Sequence, residues 1–88
     1  MVVFLNITSK VDIRVGYDMR IVANDYEAHD IMRIIREWTE LTQPEFAKTI
    51  KRGTRVQQMY ESGERKYSVK MLLEILEENG ITMTLEKK

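Results

Sequence analysis

Cysteine is absent from the 88 residues, which excludes a disulfide framework and a thiolate metal site. Stability must then come from packing, and a reducing cytoplasm is the expected setting. The single histidine, His29, has no second histidine or cysteine at metal-ligand spacing, so it reads as a surface or boundary residue without catalytic duty, and no metal or cofactor is expected. Also missing are a phosphate-cradling glycine loop and a histidine paired with a nucleophile. The carboxylates sit on helix faces beside lysines and arginines, a pattern that argues against an enzyme. No apolar run is long enough to cross a bilayer; the opening MVVFLNITSK lacks a basic lead-in and reads as a strand. A chain this short supports one small domain whose modest core often gains stability by pairing with a second copy.

Net charge is also lacking: the formal total is +0. Alone, that argues against a nucleic-acid partner. The distribution argues the other way, because Lys48, Lys51, Arg52, Arg55, Arg65, Lys66 and Lys70 cluster in one stretch against only Glu61 and Glu64. Acidic side chains collect elsewhere, at Asp25, Glu27, Asp30, Glu37 and Glu40 and again at Glu74, Glu77 and Glu78. A neutral sum therefore hides one basic face. The alternative is that these lysines and arginines are the solvated sides of amphipathic helices.

What is present is legible mostly through caps and periodicity. Residues from Val11 to Ile21 alternate apolar and polar, and Val2 to Ile7 is also strand-like, so an N-terminal β ribbon is expected over residues 1–22, turned at Thr8 to Lys10 and bulged near Gly16. Met19 is a possible second start, which would make the first eighteen residues an extension to a complete helical domain. Asn24 and Glu27 offer a capping pair for a helix from Asp25 to Glu40, with Ile31, Ile34, Ile35 and Trp38 as its inward stripe.

A second helix starts at Thr42. Thr42 and Glu45 make a T-x-x-E capping box, and the single proline, Pro44, fits only the first turn, where its missing N–H is one of the unpaired donors. Phe46, Ala47 and Ile50 face inward, and Gly53 or Thr54 opens a third helix after a basic turn. The fourth helix runs from the N-cap Ser68 to Asn79 with Val69, Leu72, Leu73 and Leu76 inward, and Gly80 ends it in a left-handed turn. Beyond it, Ile81, Met83 and Leu85 alternate as one side of a closing strand over residues 81–88. That strand needs a partner, either the N-terminal ribbon or its own copy in a second chain.

TQPEFAKTI, the E-S-G at Glu61 to Gly63, and SVKMLLEILEENGI resemble the Cro and C1-type (XRE) helix-turn-helix proteins of phage repressors and bacterial regulators, from about Asp25 to Ile81. The tail GITMTLEKK is also similar to the end of HipB-like antitoxins. The resemblance implies a mainly α, lambda-repressor-like helix-turn-helix domain of about four helices over residues 23–80. Its third helix would lie in the major groove of double-stranded DNA, and dimers would read half-sites about one helical turn apart. It also implies a homodimer joined through Ile81, Met83 and Leu85. Carried onto this chain, Gln43 contacts a phosphate at the start of helix two, and Thr54, Arg55, Gln58 and Met59 become base readers. Arginine can pair bidentately with guanine, glutamine with adenine, and methionine can meet a thymine methyl. Lys48, Lys51, Arg52, Arg65 and Lys66 would hold the DNA backbone.

Two departures stand out. Gln57 falls where the family usually buries a valine or isoleucine, and a helix rotated or begun one residue late would keep Val56 and Tyr60 inward while turning Gln57 and Gln58 outward. Which glutamine reads a base is then open. Lys51 and Arg52 replace the usual glycine and apolar residue of the turn. The functional expectation is a dimeric, sequence-specific DNA-binding repressor, either a phage-type regulator or an autoregulating antitoxin with a cognate toxin as partner. The alternative is a protein-protein adaptor or inhibitor, toxin-binding or other, that keeps the helix-turn-helix as a scaffold.

Overall fold

The computed structural model describes residues 2–7 and 19–87. In chain order they form β1 (Val2–Ile7), β2 (Arg20–Val22), a 3-10 turn over Ala23–Asp25, α1 (Ala28–Trp38), α2 (Gln43–Thr49), α3 (Thr54–Ser62), α4 (Val69–Glu78) and β3 (Ile81–Glu86). The strands make one three-stranded antiparallel sheet in the order β2-β1-β3, and the helices pack against it. No helix among the described residues is long and apolar enough to cross a membrane.

Period two explains the sheet. Leu5 stands opposite Ile21 on one side and Met83 on the other, and Val3 opposite Leu85, so one face is apolar across all three strands. Leu5 is fully buried and belongs to the same cluster as Met32, Ile35, Phe46, Tyr60, Ile75, Leu76 and Ile81. On the opposite face, the Arg20 guanidinium lies 3.9 Å from the centroid of the Phe4 ring. The N-terminal strand is thus the centre of the sheet and not an extension to a finished helical domain: without it, β3 has no ladder partner among the described residues. Of the expected second ribbon strand, only Arg20–Val22 is described as strand; the bulge near Gly16 and the turn at Thr8 to Lys10 lie outside the described residues.

Four expectations about the helices are corrected. Helix one begins at Ala28, not Asp25, and ends at Trp38. Asn24 does not cap it, because its side-chain oxygen accepts from the Val3 N–H at 2.6 Å and so ties the 3-10 turn to β1. The buried positions of α1 are Met32 and Ile35, with Ile31 and Trp38 packed alongside and Ile34 half-buried. The stripe shifts toward Met32 because Arg36, one residue past Ile35, also turns inward to reach Glu61 on α3. In α4, Ile75 and Leu76 are buried while Val69 is 69% and Leu73 49% exposed. Its apolar residues are consistent with two adjacent stripes, and the core takes the one through Met71, Leu72, Ile75 and Leu76.

The caps fall where local chemistry puts them. Ser68 Oγ accepts from the Met71 N–H at 3.0 Å, and Gly80 closes α4 at φ +66°. Gly63 ends α3 at φ +86°, and a Cβ there would lie 3.2 Å from the His29 ring. Gly63→Ala is therefore expected to cost about 1–3 kcal/mol, the usual penalty for a side chain held in that region, measured as a lower urea midpoint with an unchanged slope.

Candidate functional site

α2 and α3 are two short helices joined at close quarters. At the start of α2 the capping box is complete: the Glu45 N–H donates to Thr42 Oγ1 at 3.3 Å, and the Thr42 N–H donates to Glu45 Oε1 at 3.0 Å. Hydrogen bonds donated to the carboxylate, first from the Thr42 backbone N–H and then from the Thr42 hydroxyl at 2.8 Å, hold the Glu45 carboxyl below its ordinary value. Pro44 lies in the first turn. Phe46 and Ala47 are buried, and Ile50 packs against the core.

The turn between the helices needs a left-handed residue, and Lys51 supplies it at φ +57°. That explains why a glycine would be at home there, and it projects a lysine from the tip instead. Gly53 has an ordinary extended conformation and serves as the N-cap of α3, with open space where a side chain would be.

α3 is held by a polar cluster beneath it. Arg36 on α1 donates from Nε to Glu61 Oε2 at 2.8 Å and from a terminal nitrogen to Glu61 Oε1 at 3.0 Å, and its other terminal nitrogen reaches the Leu41 carbonyl at 2.9 Å. The Glu61 side chain is 5% and that of Arg36 17% exposed. Gln57, one turn before Glu61, donates its amide to Glu61 Oε2 at 2.6 Å. Burial pushes the Glu61 carboxyl up most strongly, but hydrogen bonds from Arg36 and Gln57, the charge of Arg36 and a smaller share from Gln43 together hold it below its ordinary value.

Gln57 corrects the expected rotation of α3. It is fully buried beside Tyr60, whereas Val56 is half-buried and only Gln58 of the two glutamines faces out. A buried amide needs a partner, and Glu61, one turn on in the same helix and itself anchored from α1 by a contact that no local pattern announces, provides one. The Gln57 side-chain oxygen has no hydrogen-bond partner among the described residues, a deficit of about 1–3 kcal/mol relative to a satisfied group.

The residues expected to face DNA divide clearly. Arg55 and Gln58 are exposed on α3, with Thr54 and Met59 half-buried beside them. The guanidinium of Arg55 lies 3.9 Å from Glu64, with both side chains largely in water, a pairing worth about 0–1 kcal/mol. Lys48, Lys51, Arg52, Arg65 and Lys66 are all exposed, and Gln43 is half-buried. They do not share one concavity. Lys51 and Arg52 line a groove with Met71 and Glu74, while Arg65 and Lys66 line another with His29, Tyr60 and Tyr67. Tyr67 stacks edge-on to Tyr60 with centroids 5.8 Å apart and donates its hydroxyl to the Ala28 carbonyl, which pins the loop carrying Arg65 and Lys66 to the start of α1. Burial pushes the Tyr67 hydroxyl up from its ordinary value.

For the residues expected to join two chains, Ile81 is buried in its own core, Met83 is half-buried and Leu85 is 57% exposed. Their strand pairs with β1 of the same chain, and β3 stands at an edge of the sheet. Of the two partners open in the sequence, the ribbon of the same chain takes one side of the strand.

Missing from the expected site were Arg36, Gln57 as a buried group, and Tyr67. Arg36 and Glu61 lie 25 residues apart, so their meeting leaves no trace in helical spacing. Because the Glu61 carboxyl is depressed, its contribution to stability is complete above 4.5, the ordinary value, and is lost as pH falls through the lower folded value. Stability is expected to decline on that acid limb, and Glu61→Gln to flatten it, in urea titrations across pH. Arg36→Ala, which strands a buried carboxylate, is expected to cost about 3–5 kcal/mol at neutral pH by the same method. Compared with protein-family models, curated proteins and solved structures, the chain gives no match.

Proposed function

We propose that the chain is a sequence-specific double-stranded-DNA-binding regulator of the lambda-repressor-like, XRE type, acting in the cytoplasm as a repressor that occupies a promoter. One observation carries the reading: α3 is anchored from below by Arg36 through Glu61 while Arg55 and Gln58 remain exposed above. A short helix held firmly on one side and carrying guanidinium and amide groups on the other is what reading base edges in a major groove requires. Lys48, Lys51, Arg52, Arg65 and Lys66 supply phosphate contacts around it, with Gln43 at the start of α2. On this reading Arg55 leaves Glu64 when it meets a guanine.

The same reading includes a second copy, because operators are two-fold and a small domain gains affinity by reading two half-sites. The outer edge of β3 and the exposed Leu85 offer that copy a strand to pair with. An autoregulating antitoxin with a toxin partner is one form of this regulator. A protein-binding adaptor is the competing reading, favoured by the exposure of Val69 and Leu73 on α4.

Selection of bound duplexes from a random pool, followed by titrations at two salt concentrations, tests the proposal. Arg55→Ala is expected to lose about 1–3 kcal/mol of preference for the selected duplex. Lys66→Ala is expected to weaken all duplexes alike and to lower the salt slope by about 0.9. No preference in the native chain, or no effect of either change, would leave the adaptor reading in its place. For the second copy, sedimentation of the native chain is expected to give a dimer that Leu85→Lys weakens at least about tenfold, the scale of 1.4 kcal/mol; a native monomer at operator-binding concentrations rejects it.

A further inference from the structure

The fully buried Gln57 has no evident place in an apolar core. Its neighbours explain part of it: the amide nitrogen donates to Glu61 Oε2 at 2.6 Å, and the same oxygen accepts from Arg36 Nε at 2.8 Å. The amide oxygen, by contrast, meets no donor among the described residues. An unbranched apolar side chain would fill similar space, remove that unmatched oxygen and suit a helix at least as well. Stability is therefore not what this side chain adds. What an amide does and a methyl group cannot is fix a direction, and here it fixes that of the Glu61 carboxylate, four residues on in the same helix, whose two oxygens Arg36 on α1 holds.

Direction matters because α3 is otherwise ambiguous. Its apolar residues Val56, Met59 and Tyr60 would also fit a setting turned by about 50°, half the angle between successive residues, with Val56 and Tyr60 inward and Gln57 outward. That alternative would swing Arg55 and Gln58 away from their present positions. Single buried polar groups are best attested as devices that choose between such near-equivalent packings.

We propose that Gln57 is a positioning residue that selects the rotational setting of α3 through Glu61 and Arg36, and thereby determines which side chains of that helix face outward to read bases. The base-reading half of this rests on the DNA-binding function proposed above; the positioning half does not.

Gln57→Met, with Gln57→Leu as a second variant, separates the two halves. Without DNA, both variants are expected to unfold at or above the native temperature while amide exchange across Val56 to Ser62 accelerates at least tenfold relative to α4 and the Arg36 Nε–H resonance shifts. Unchanged exchange and an unchanged resonance would overturn the positioning role, and so would a uniform loss of protection across all helices with a lowered melting temperature, which marks Gln57 as merely structural. With DNA, the affinity ratio between the selected duplex and a scrambled one is expected to fall at least tenfold, with non-specific affinity and its salt slope unchanged. An intact ratio beside a loosened α3 would overturn the base-reading half. A native chain with no preference among duplexes defeats the DNA-binding function and that half together, and leaves the exchange measurement to decide the other.

Discussion

The paired contact between Arg36 and Glu61 links the first helix to the third and sets the position of everything around α3. Its geometry is bidentate, at 2.8 and 3.0 Å, and its location is nearly dry. Such a pair adds little net stability over apolar packing, because desolvating both ions costs about what their attraction returns, but removing either ion alone is severe. That asymmetry makes the pair a strong constraint on geometry. With Glu61 held, Gln57 is drawn inward, Tyr60 is seated in the core, and Arg55 and Gln58 are left on the opposite side.

The sheet imposes a second constraint from the other end of the molecule. β1 lies between β2 and β3, so the first and last described segments of the chain are joined by one ladder, and Leu5 buries itself among helix residues from all four helices. The 3-10 turn after β2 is tied back to β1 by Asn24, which sets where α1 begins. Because α1 also carries Arg36, the placement of α3 depends through α1 on a strand about fifty residues earlier in the chain. A small domain without disulfides gains from such coupling, since few apolar contacts must serve several elements at once.

Much of the local structure was legible because it depends on neighbours in sequence. The capping box at Thr42 and Glu45, the N-cap at Ser68, the left-handed glycine at 80 and the alternation of β1 and β3 follow from short-range hydrogen bonding and steric preference, and each appears where the residues put it. Inward faces were less legible. α4 holds enough leucine and isoleucine for two stripes, and α1 turns to bring in an arginine that no hydrophobic pattern counts.

What the amino-acid order by itself determined, then, is the succession of strands and helices, the caps of α2 and α4, and the set of cations and amides around α2 and α3, because all of these are decided within about one helical turn or one strand pitch. Only the tertiary structure decided that β3 pairs with β1, that Asn24 serves the sheet and not a helix, and that Gln57 lies inside while Gln58 lies outside. The physical reason is the same in each case. A hydrogen bond between residues far apart in the chain, above all the one that Arg36 brings to Glu61, outweighs the local preference of the side chains it reorients.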